Sequence, residues 1–384
     1  MQWTRRTRSR WYNCQGDICK LLSLQPSPQN PKNPNSMQQL PETIPESYPP
    51  CFRPNTQQFS DQIHNEVSGN EDHQQDPLPL IDLQQINLQK LEEACTDWGI
   101  FRLANHGIPP DLLSELHEHA VRVLEMGFES KQTLFESIPS SSMSYFWGTP
   151  ALTPAGVALA LYKDQGTVNY NWVEGLNIPL SQPSLVDLHH HPLLSDFRML
   201  LESYGIHQAR VATSIFGAMS QNLELSEDNE CYLSPSTGHL RVYRYPRCSF
   251  DKSTKVWGME VHTDSSVVTI LNQFEVGGLQ VLSPKENAWI DAKPVPNTLL
   301  VHLGDMMQAI SNDKYKSVKH RVLVNREKER FSIGYFVFPG DDCVIQSPNY
   351  KPFTYPEFRA QVQHDVKTLG LKVGLSRFKL NGDF

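Results

Sequence analysis

The feature that most constrains the fold is a change of sequence texture near residue 240. From there to the C-terminus, short runs rich in β-branched and aromatic residues alternate with turn residues at fairly regular intervals. Many short strands separated by turns are typical of an antiparallel sandwich or jelly roll. The runs that we predict to be strands are 240–245, 267–272, 278–282, 298–303, 318–324 and 331–338.

The chain upstream of residue 240 has a different pattern. Residues 80–83 form a short apolar run typical of a buried strand. Apolar residues then recur at steps of three and four from Leu88 to Trp98, and similar patterns span about 111–126 and 196–223. The sequence therefore predicts a mainly β fold with flanking helices.

Composition divides the chain into three parts. Residues 25–78 are rich in Pro, Gln, Asn and Ser, and such a stretch buries too little apolar surface to offset its chain entropy. We therefore predict that residues 1–77 are a disordered N-terminal extension. Residues 78–239 are predicted to be a helix-rich part, and residues 240–384 a β-core with a C-terminal helix, together one domain of about 300 residues.

The first ten residues carry four arginines and no acidic residue. A transit peptide can have this composition, although such peptides are usually rich in serine and amphipathic. We expect a cytoplasmic protein, with access to the nucleus as a second location and a transit peptide as the alternative.

Charge and hydropathy limit the classes of partner. The formal net charge is −8, so no global electrostatic attraction favours nucleic acid. No apolar run reaches eighteen residues, so we expect no membrane span and no membrane partner. We expect a monomer that binds a small molecule. If that molecule is an anion, a cation within the site must bind it, because the protein surface is acidic.

The cysteines give no sign of a disulfide framework. Seven are scattered over the chain, the number is odd, and no CxxC pair occurs. This pattern favours free thiols in a reducing compartment. The cysteines are Cys14, Cys19, Cys51, Cys95, Cys231, Cys248 and Cys343.

Three residues have the pattern of a metal site. His262 and Asp264 are two positions apart, and on an extended segment such residues point to the same face. His320 lies in a later strand-like run. Two histidines and one carboxylate form the facial triad of non-haem iron(II) oxygenases, which leaves coordination positions open for ligands. The alternative is that they are ordinary surface or packed residues, since the chain has 14 histidines.

A second pair follows shortly after His320. Arg330 and Ser332 share one face of a predicted strand by the same period of two. A guanidinium binds a carboxylate through two parallel hydrogen bonds, and a hydroxyl can add a third. This pair suits the distal carboxylate of 2-oxoglutarate, whose keto acid end chelates iron. The alternative is a surface arginine beside a strand serine.

Together these motifs resemble the plant 2-oxoglutarate and iron(II)-dependent dioxygenase family. The HxD pair, the distal histidine and the RxS pair occur in the family's order and at matching spacing. The resemblance extends from about residue 78 to the C-terminus. Further similar segments are 80–83, 98–101, 105–109, 277–280 and 304–305.

The resemblance implies a double-stranded β-helix core of the jelly-roll, cupin-like type. It implies that iron(II) is bound by His262, Asp264 and His320, with 2-oxoglutarate as co-substrate, dioxygen as oxidant and ascorbate as reductant. The residues that it assigns to 2-oxoglutarate are Arg330, Ser332 and Tyr245, the last in the place of the tyrosine of the family's Asn-x-Tyr motif. Tyr243 stands where most members have asparagine.

The expected class of substrate rests on a weaker resemblance than the metal and co-substrate motifs do. Segments 145–150 and 171–176 are similar to the branch that contains gibberellin-modifying oxidases. This implies hydroxylation or desaturation of a small organic metabolite, such as a gibberellin-type hormone, with release of succinate and carbon dioxide. Tyr145, Phe336 and Phe338 are candidates to line the substrate cavity, although aromatic side chains at such positions also serve as core or lid packing.

Other functions remain open at this point. The substrate could be a phenolic or another specialised metabolite, and a branch of the family works without 2-oxoglutarate. A jelly roll that binds metal without catalysis would not need Arg330 and Ser332. A zinc hydrolase would need a general base, for which Glu260 is near in sequence.

Overall fold

The computed structural model describes residues 45–53, 77–148, 162–164, 167–169, 171–180, 188, 191–248 and 257–380. The helices are α1 (Leu88–Asp97), α2 (Pro110–Leu124), α3 (Phe128–Ser137), α4 (Pro192–Asn222), α5 (Asp305–Ile310) and α6 (Tyr355–Leu369). Short 3-10 helices are Pro50–Phe52, Glu227–Tyr232 and Gly374–Phe378.

The strands before the predicted β-core are β1 (Leu80–Asp82), β2 (Ile100–Ala104), β3 (Ser144–Trp147), β4 (Tyr162–Asp164), β5 (Thr167–Asn169) and β6 (Glu174–Pro179). Those within it are β7 (Ser234–Tyr245), β8 (Trp257–His262), β9 (Val268–Gln273), β10 (Leu279–Leu282), β11 (Trp289–Asp291), β12 (Leu299–Leu303), β13 (His320–Leu323), β14 (Arg330–Phe338), β15 (Val344–Ser347) and β16 (Tyr350–Thr354).

Two sheets form the body of the β-core. The large sheet has the order β1-β2-β12-β9-β14-β7-β6-β3, and the smaller sheet has the order β11-β10-β13-β8. Strands β1 and β2 run parallel, and the other pairs in the two sheets are antiparallel. Strands next to each other in space are often far apart in sequence, as expected for a jelly roll. The predicted fold, mainly β with flanking helices around a jelly roll, is confirmed.

The large sheet packs on both of its faces, and strand β14 shows how. Phe331 and Ile333 join a core between the sheet and the helices, which we call the helix-side core. The alternate residues Arg330 and Ser332 point the opposite way, because side chains along a strand change face at every step. A second core on that opposite face, the inner core, contains residues of both sheets, among them Tyr243, Leu271, Met259 and Val322.

The predicted helices agree with the structure in position and differ at their ends. Helix α1 begins after Asn87, whose side chain accepts a hydrogen bond from the backbone N–H of Lys90 at 2.9 Å. Helix α4 begins at Pro192, before its predicted start, because proline is favoured in a first helical turn. Its buried residues include Phe197 and Leu201, which cover the large sheet from the helix side.

Part of the predicted N-terminal extension is ordered, which corrects that expectation for residues 45–53. Tyr48 is 2% exposed and Phe52 is fully buried. The ring of Phe52 lies 4.3 Å from that of Trp172, and both pack with Cys248. Burial of one phenylalanine is worth about 1.5–3 kcal/mol, so two aromatic residues can hold a proline-rich segment in place. Residues 1–44 and 54–76 lie outside the described residues.

The prediction of free thiols is wrong for one pair of cysteines. Cys231 and Cys343 form a disulfide across a sequence separation of 112 residues. Cys343 follows β14 and Cys231 precedes β7, and the fold brings these two distant segments together. The spacing of the cysteines in the sequence therefore does not indicate that they pair. Cys95 is a free, buried thiol and Cys248 is buried, whereas Cys14 and Cys19 lie outside the described residues.

Within the ranges that the structure describes, no helix combines the length and apolar character needed to cross a membrane.

Candidate metal centre and co-substrate site

The structure brings the three predicted metal ligands together at the edge of the smaller sheet. His262 is the last residue of β8, Asp264 follows just past the strand end, and His320 opens β13 directly opposite His262. Oδ1 of Asp264 lies 3.8 Å from Nε2 of His262 and 3.7 Å from Nε2 of His320. The three ligand atoms lie within 4.8 Å of one another, which is a spacing that one metal ion can bridge.

The two histidines are held in the tautomer that a metal needs. Nδ1 of His262 lies 2.7 Å from the carbonyl oxygen of Glu260, and Nδ1 of His320 lies 3.1 Å from that of Val318. Each Nδ1–H can donate to its carbonyl, which leaves the lone pair of Nε2 free to bind a metal. Burial, with His320 beside it, lowers the pKa of His262 to about 3, so its ring is neutral at physiological pH.

Asp264 is a buried carboxylate, and one of its oxygens has no hydrogen-bond partner. Burial alone would raise its pKa, but the surrounding histidines outweigh this effect and hold the pKa well below its usual range. Its backbone carbonyl accepts a hydrogen bond from the N–H of Asp305 at 2.8 Å, while its Oδ2 has no hydrogen-bond partner. A buried charge without a partner is unfavourable, so the site fits a cation.

His302 is a further buried imidazole that the sequence analysis missed. Its Nδ1 lies 3.8 Å from Oδ2 of Asp264, its ring centroid lies 4.9 Å from that of His320, and neither ring nitrogen has a hydrogen-bond partner. Leu299 and Val301 on the same strand face the helix-side core. The period of two along β12 therefore places His302 inside the jelly roll, which alternation alone could have indicated.

Arg330 is a buried cation without an acidic partner among the described residues. It is 1% exposed, its Nη1 donates to Oγ of Ser332 at 2.8 Å, and its Nη2 donates to Oε1 of Gln273 at 3.2 Å. Its Nε has no hydrogen-bond partner. The ring of Tyr245, opposite Arg330 in the strand register, lies 5.0 Å from the guanidinium carbon. The site therefore fits a carboxylate ligand, and Gln273 joins the predicted group.

The structure separates the three predicted substrate residues. Phe336 packs against the inner core, whereas Phe338, at the end of β14, stacks on Tyr355 with a centroid distance of 4.4 Å. Tyr145 lies on the helix side, where its hydroxyl donates to Oε2 of Glu174 at 2.5 Å. Its neighbour Phe146 points into the inner core instead, because adjacent strand residues face opposite ways.

Tyr243 keeps the inner face apolar where an asparagine was expected. It is buried, and its ring centroid lies 6.1 Å from that of Tyr245 and 6.0 Å from that of Phe146. An aromatic wall therefore continues along the inner face from the Arg330 site.

Arg241 is a second cation on the inner face of the large sheet. It lies two residues before Tyr243, on the same face of β7, and is half-buried. Its Nε donates to Oδ1 of Asn177 at 3.3 Å, and its guanidinium carbon lies 5.3 Å from the centre of the Phe336 ring. No acidic residue in the described part of the chain forms an ion pair with Arg241.

Two family models match the chain. The 2OG-Fe(II) oxygenase superfamily matches residues 236–339, and the non-haem dioxygenase in morphine synthesis N-terminal domain matches residues 78–184. The metal triad and Arg330 lie within the first range, and Tyr145 lies within the second.

Among curated proteins, gibberellin 2-beta-dioxygenase 8 of Arabidopsis thaliana is 35% identical over 319 residues, which cover 78% of this chain and 86% of the relative. Gibberellin 2-beta-dioxygenase 6 of Oryza sativa subsp. japonica is 31% identical and covers 78% of this chain and 84% of the relative.

Solved structures agree with these matches. The crystal structure of JOX2 in complex with 2OG, Fe and JA is 28% identical, with a TM-score of 0.60 over 74% of this chain and 85% of that chain. The rice dioxygenase for auxin oxidation has the same fold, with a TM-score of 0.61 at 24% identity over 79% of this chain and 99% of that chain. This chain belongs to the 2OG-Fe(II) oxygenase superfamily and is an iron(II)- and 2-oxoglutarate-dependent oxidoreductase.

Proposed function

We propose that this enzyme hydroxylates or desaturates a small carboxylated metabolite of the gibberellin type. The observation that carries the proposal is Arg241, a cation without an acidic partner among the described residues, set in the aromatic inner wall. An arginine in such a place favours a ligand with a carboxylate at one end and an apolar body.

The metal would be held by His262, Asp264 and His320, through two imidazole nitrogens and one carboxylate oxygen. This donor set fits iron(II) and leaves one side of the metal free. When bound, iron(II) supplies the activation of dioxygen, coupled to conversion of 2-oxoglutarate into succinate and carbon dioxide. The protein contributes ligand orientation through the carbonyl oxygens of Glu260 and Val318.

The co-substrate would be held by Arg330, Ser332 and Tyr245. In this assignment the distal carboxylate of 2-oxoglutarate accepts hydrogen bonds from Arg330 and Ser332. Gln273 fixes the guanidinium from the other side at 3.2 Å. Burial would make this ion pair stronger than it is in water, and the ion pair would fix the orientation of the bound co-substrate.

The substrate would lie along the inner wall between the metal and Arg241. Arg241 pairs with Gly334, whereas Tyr245 pairs with Arg330. At roughly 3.3 Å per residue, the two cationic positions are about 13 Å apart along the strands, so each can bind its own carboxylate. Phe146, Tyr243 and Phe336 would contact the apolar body between them and exclude water.

The relatives support the hormone class. Both curated relatives described above are named gibberellin 2-beta-dioxygenases. Gibberellins are carboxylic acids with a rigid apolar skeleton. Another relative has been solved with JA, which is also a carboxylic acid. Phenolic metabolites without a carboxylate would leave Arg241 unpaired.

The test is substrate-dependent succinate release by purified protein with iron(II), 2-oxoglutarate and ascorbate. We expect turnover of one or more gibberellins and little turnover of their methyl esters, because esterification removes the charge. Arg241→Met should raise the KM for the acid by about tenfold or more. The matched control is Lys285→Met, which removes an exposed cation that pairs with Asp97 on the surface.

Two results would contradict the proposal. Turnover of neutral phenolics with no response to gibberellins would assign the enzyme to another metabolism. Equal turnover of an acid and its methyl ester would remove the role of Arg241.

A further inference from the structure

We propose that Lys372 is a positioning residue for the metal centre, and that the C-terminal segment after helix α6 is therefore part of that centre. The loop it positions, residues 262–266, carries two of the three metal ligands. The inference rests on the assignment of His262, Asp264 and His320 as ligands, and it concerns a residue beyond both ranges matched by the family models.

The Lys372 ammonium binds the loop on both sides of Asp264. Nζ donates to the carbonyl oxygen of Thr263 at 2.8 Å, to its Oγ1 at 3.3 Å and to Oγ of Ser265 at 2.9 Å. Among the residues that the structure describes, no other side chain is hydrogen-bonded to Thr263 or Ser265. Lys372 therefore fixes the two peptide neighbours of a metal ligand without touching the ligand itself.

The same ammonium links the loop to helix α5. Nζ lies 2.6 Å from Oδ2 of Asp305, whose side chain is 5% exposed. The backbone N–H of Asp305 donates to the carbonyl oxygen of Asp264 at 2.8 Å. Asp264 is thus held through its backbone by α5 and through its neighbours by Lys372, and Asp305 joins these two supports. An ammonium has three N–H donors, and the acceptors on Thr263 and Ser265 occupy them, so the contact with Asp305 is an ion pair.

The segment that carries Lys372 is anchored independently of the metal loop. Helix α6 ends at Gly370, whose φ of 74° turns the chain back toward the sheet. Downstream, Nη2 of Arg377 lies 2.9 Å from Oδ1 of the fully buried Asp365. The ring of Phe378 packs on Phe353 at 4.5 Å between centroids. With both ends fixed, the lysine side chain can restrain the loop instead of following it.

A substrate-binding role does not fit this geometry. Lys372 is mostly buried, with a side chain 18% exposed, and its donors are already satisfied by protein oxygens. Asp264, by contrast, has one oxygen without a partner. Orienting that carboxylate before the metal arrives reduces the conformational freedom lost on binding, and residues around metal ligands commonly act in this way.

The experiment measures Mn(II) binding to the metal-stripped full-length protein by EPR of free Mn(II), which needs no turnover. We expect Lys372→Met to weaken binding about 10- to 100-fold, and Lys372→Arg to restore part of the loss. Cobalt(II) bound at saturation should show an altered visible absorption band in Lys372→Met, because the ligand geometry relaxes. A lysine that only stabilised the fold would leave the band unchanged.

The matched control is Lys379→Met. Lys379 lies on the same C-terminal segment and pairs with Asp313 at 3.2 Å, with a side chain 40% exposed. We expect no change in Mn(II) affinity or in the cobalt band. His262→Ala tests the ligand assignment separately: if it binds Mn(II) as the wild-type protein does, the assignment fails whatever Lys372 does.

Unchanged Mn(II) affinity and an unchanged cobalt band in folded Lys372→Met would overturn the inference. If that variant does not fold, the double variant Thr263→Val, Ser265→Ala decides, because it removes two acceptors and keeps the lysine. A clear loss of Mn(II) affinity there supports the inference, and wild-type affinity overturns it.

Discussion

Arg244 and Arg330 lie on neighbouring strands of one sheet and are both almost fully buried, yet their surroundings are opposite. Arg244 faces the helix side, where it pairs with Glu174 at 3.1 Å and with Glu329 at 2.7 Å. Arg330 faces the inner side, where its partners are the neutral groups of Ser332 and Gln273.

The two arginines differ in whether an acidic side chain neutralises them. Charged residues that are paired within the protein stabilise the fold, whereas buried charged residues without such a partner are suited to bind a ligand. On the helix side, Glu174 also accepts from the buried Lys131 at 2.6 Å, so each charge there is compensated by another. On the inner side, Arg330 and Asp264 each keep a buried atom without a hydrogen bond. Because buried unpaired charges are unfavourable, the inner side of the sheet is completed only when co-substrate and metal bind.

The largest effect should come from Asp264, the buried carboxylate on the inner side that has one oxygen without a hydrogen-bond partner. Asp264→Ala should abolish substrate-coupled succinate release, because it removes the only carboxylate of the proposed triad. The protein should stay folded, since the variant also removes an uncompensated buried charge. Succinate assays and circular dichroism measure the two properties, and an active variant under iron-limited conditions would contradict the assignment.

The next largest effect should come from Arg244, the buried cation that is paired with Glu174 and Glu329. Arg244→Met leaves Glu174 buried with one cation fewer, so the free energy of unfolding should fall by about 3–5 kcal/mol. Urea denaturation measures this loss. At urea concentrations below the unfolding transition of the variant, the KM for 2-oxoglutarate should stay close to that of the wild-type protein. A variant that kept its stability but lost 2-oxoglutarate would reverse the roles given to the two arginines.

Arg330→Ala should have the reverse effects of Arg244→Met: weaker binding of 2-oxoglutarate and no loss of stability. Removing one partner of a buried charged hydrogen-bonded pair costs about 2–5 kcal/mol of binding, so the KM for 2-oxoglutarate should rise about thirtyfold or more. The unfolding free energy without co-substrate should hold or rise, because no acidic partner is left behind. Added 2-oxoglutarate should raise the melting temperature of the wild-type protein and leave that of Arg330→Ala unchanged.

The smallest effects should separate two phenylalanines of one strand. Phe336→Leu should raise the KM for the organic substrate a few-fold, because Phe336 lies beside Arg241 on the inner wall. Phe338→Leu should lower the unfolding free energy by less than about 1.5 kcal/mol and leave that KM unchanged, because Phe338 stacks on Tyr355. Equal KM values in both variants would show that the wall does not extend to Phe336.

Local periodicity predicted the part of the site that lies on single strands. Arg330 and Ser332 share a face because strand residues alternate, and His262 and Asp264 were placed together by the same rule. Alternation along β12 could also have indicated His302, but the contacts of Gln273 and Arg241 needed the register between strands, which the sequence alone does not supply. The Cys231–Cys343 pair was missed for the same reason, since it depends on two distant turns meeting.

Tyr145 shows the limit of the rule. The aromatic run over residues 145–147 predicted a cavity residue, but a shift of one position exchanges the two faces of a strand. Phe146 has the inner position and Tyr145 joins Lys131 and Glu174 on the helix side. Only contacts with the neighbouring strand decide between the two.

The ordered segment at residues 45–53 bears on how the protein can be shortened. The backbone oxygen of Ser47 accepts a hydrogen bond from the buried Lys131 at 2.8 Å, and the hydroxyl of Tyr48 donates to Glu329. A truncated form that starts at residue 78, where the matched region begins, would uncover Trp172 and leave that lysine short of an acceptor. Such a form should aggregate more readily, so the smallest well-behaved protein should begin before residue 45.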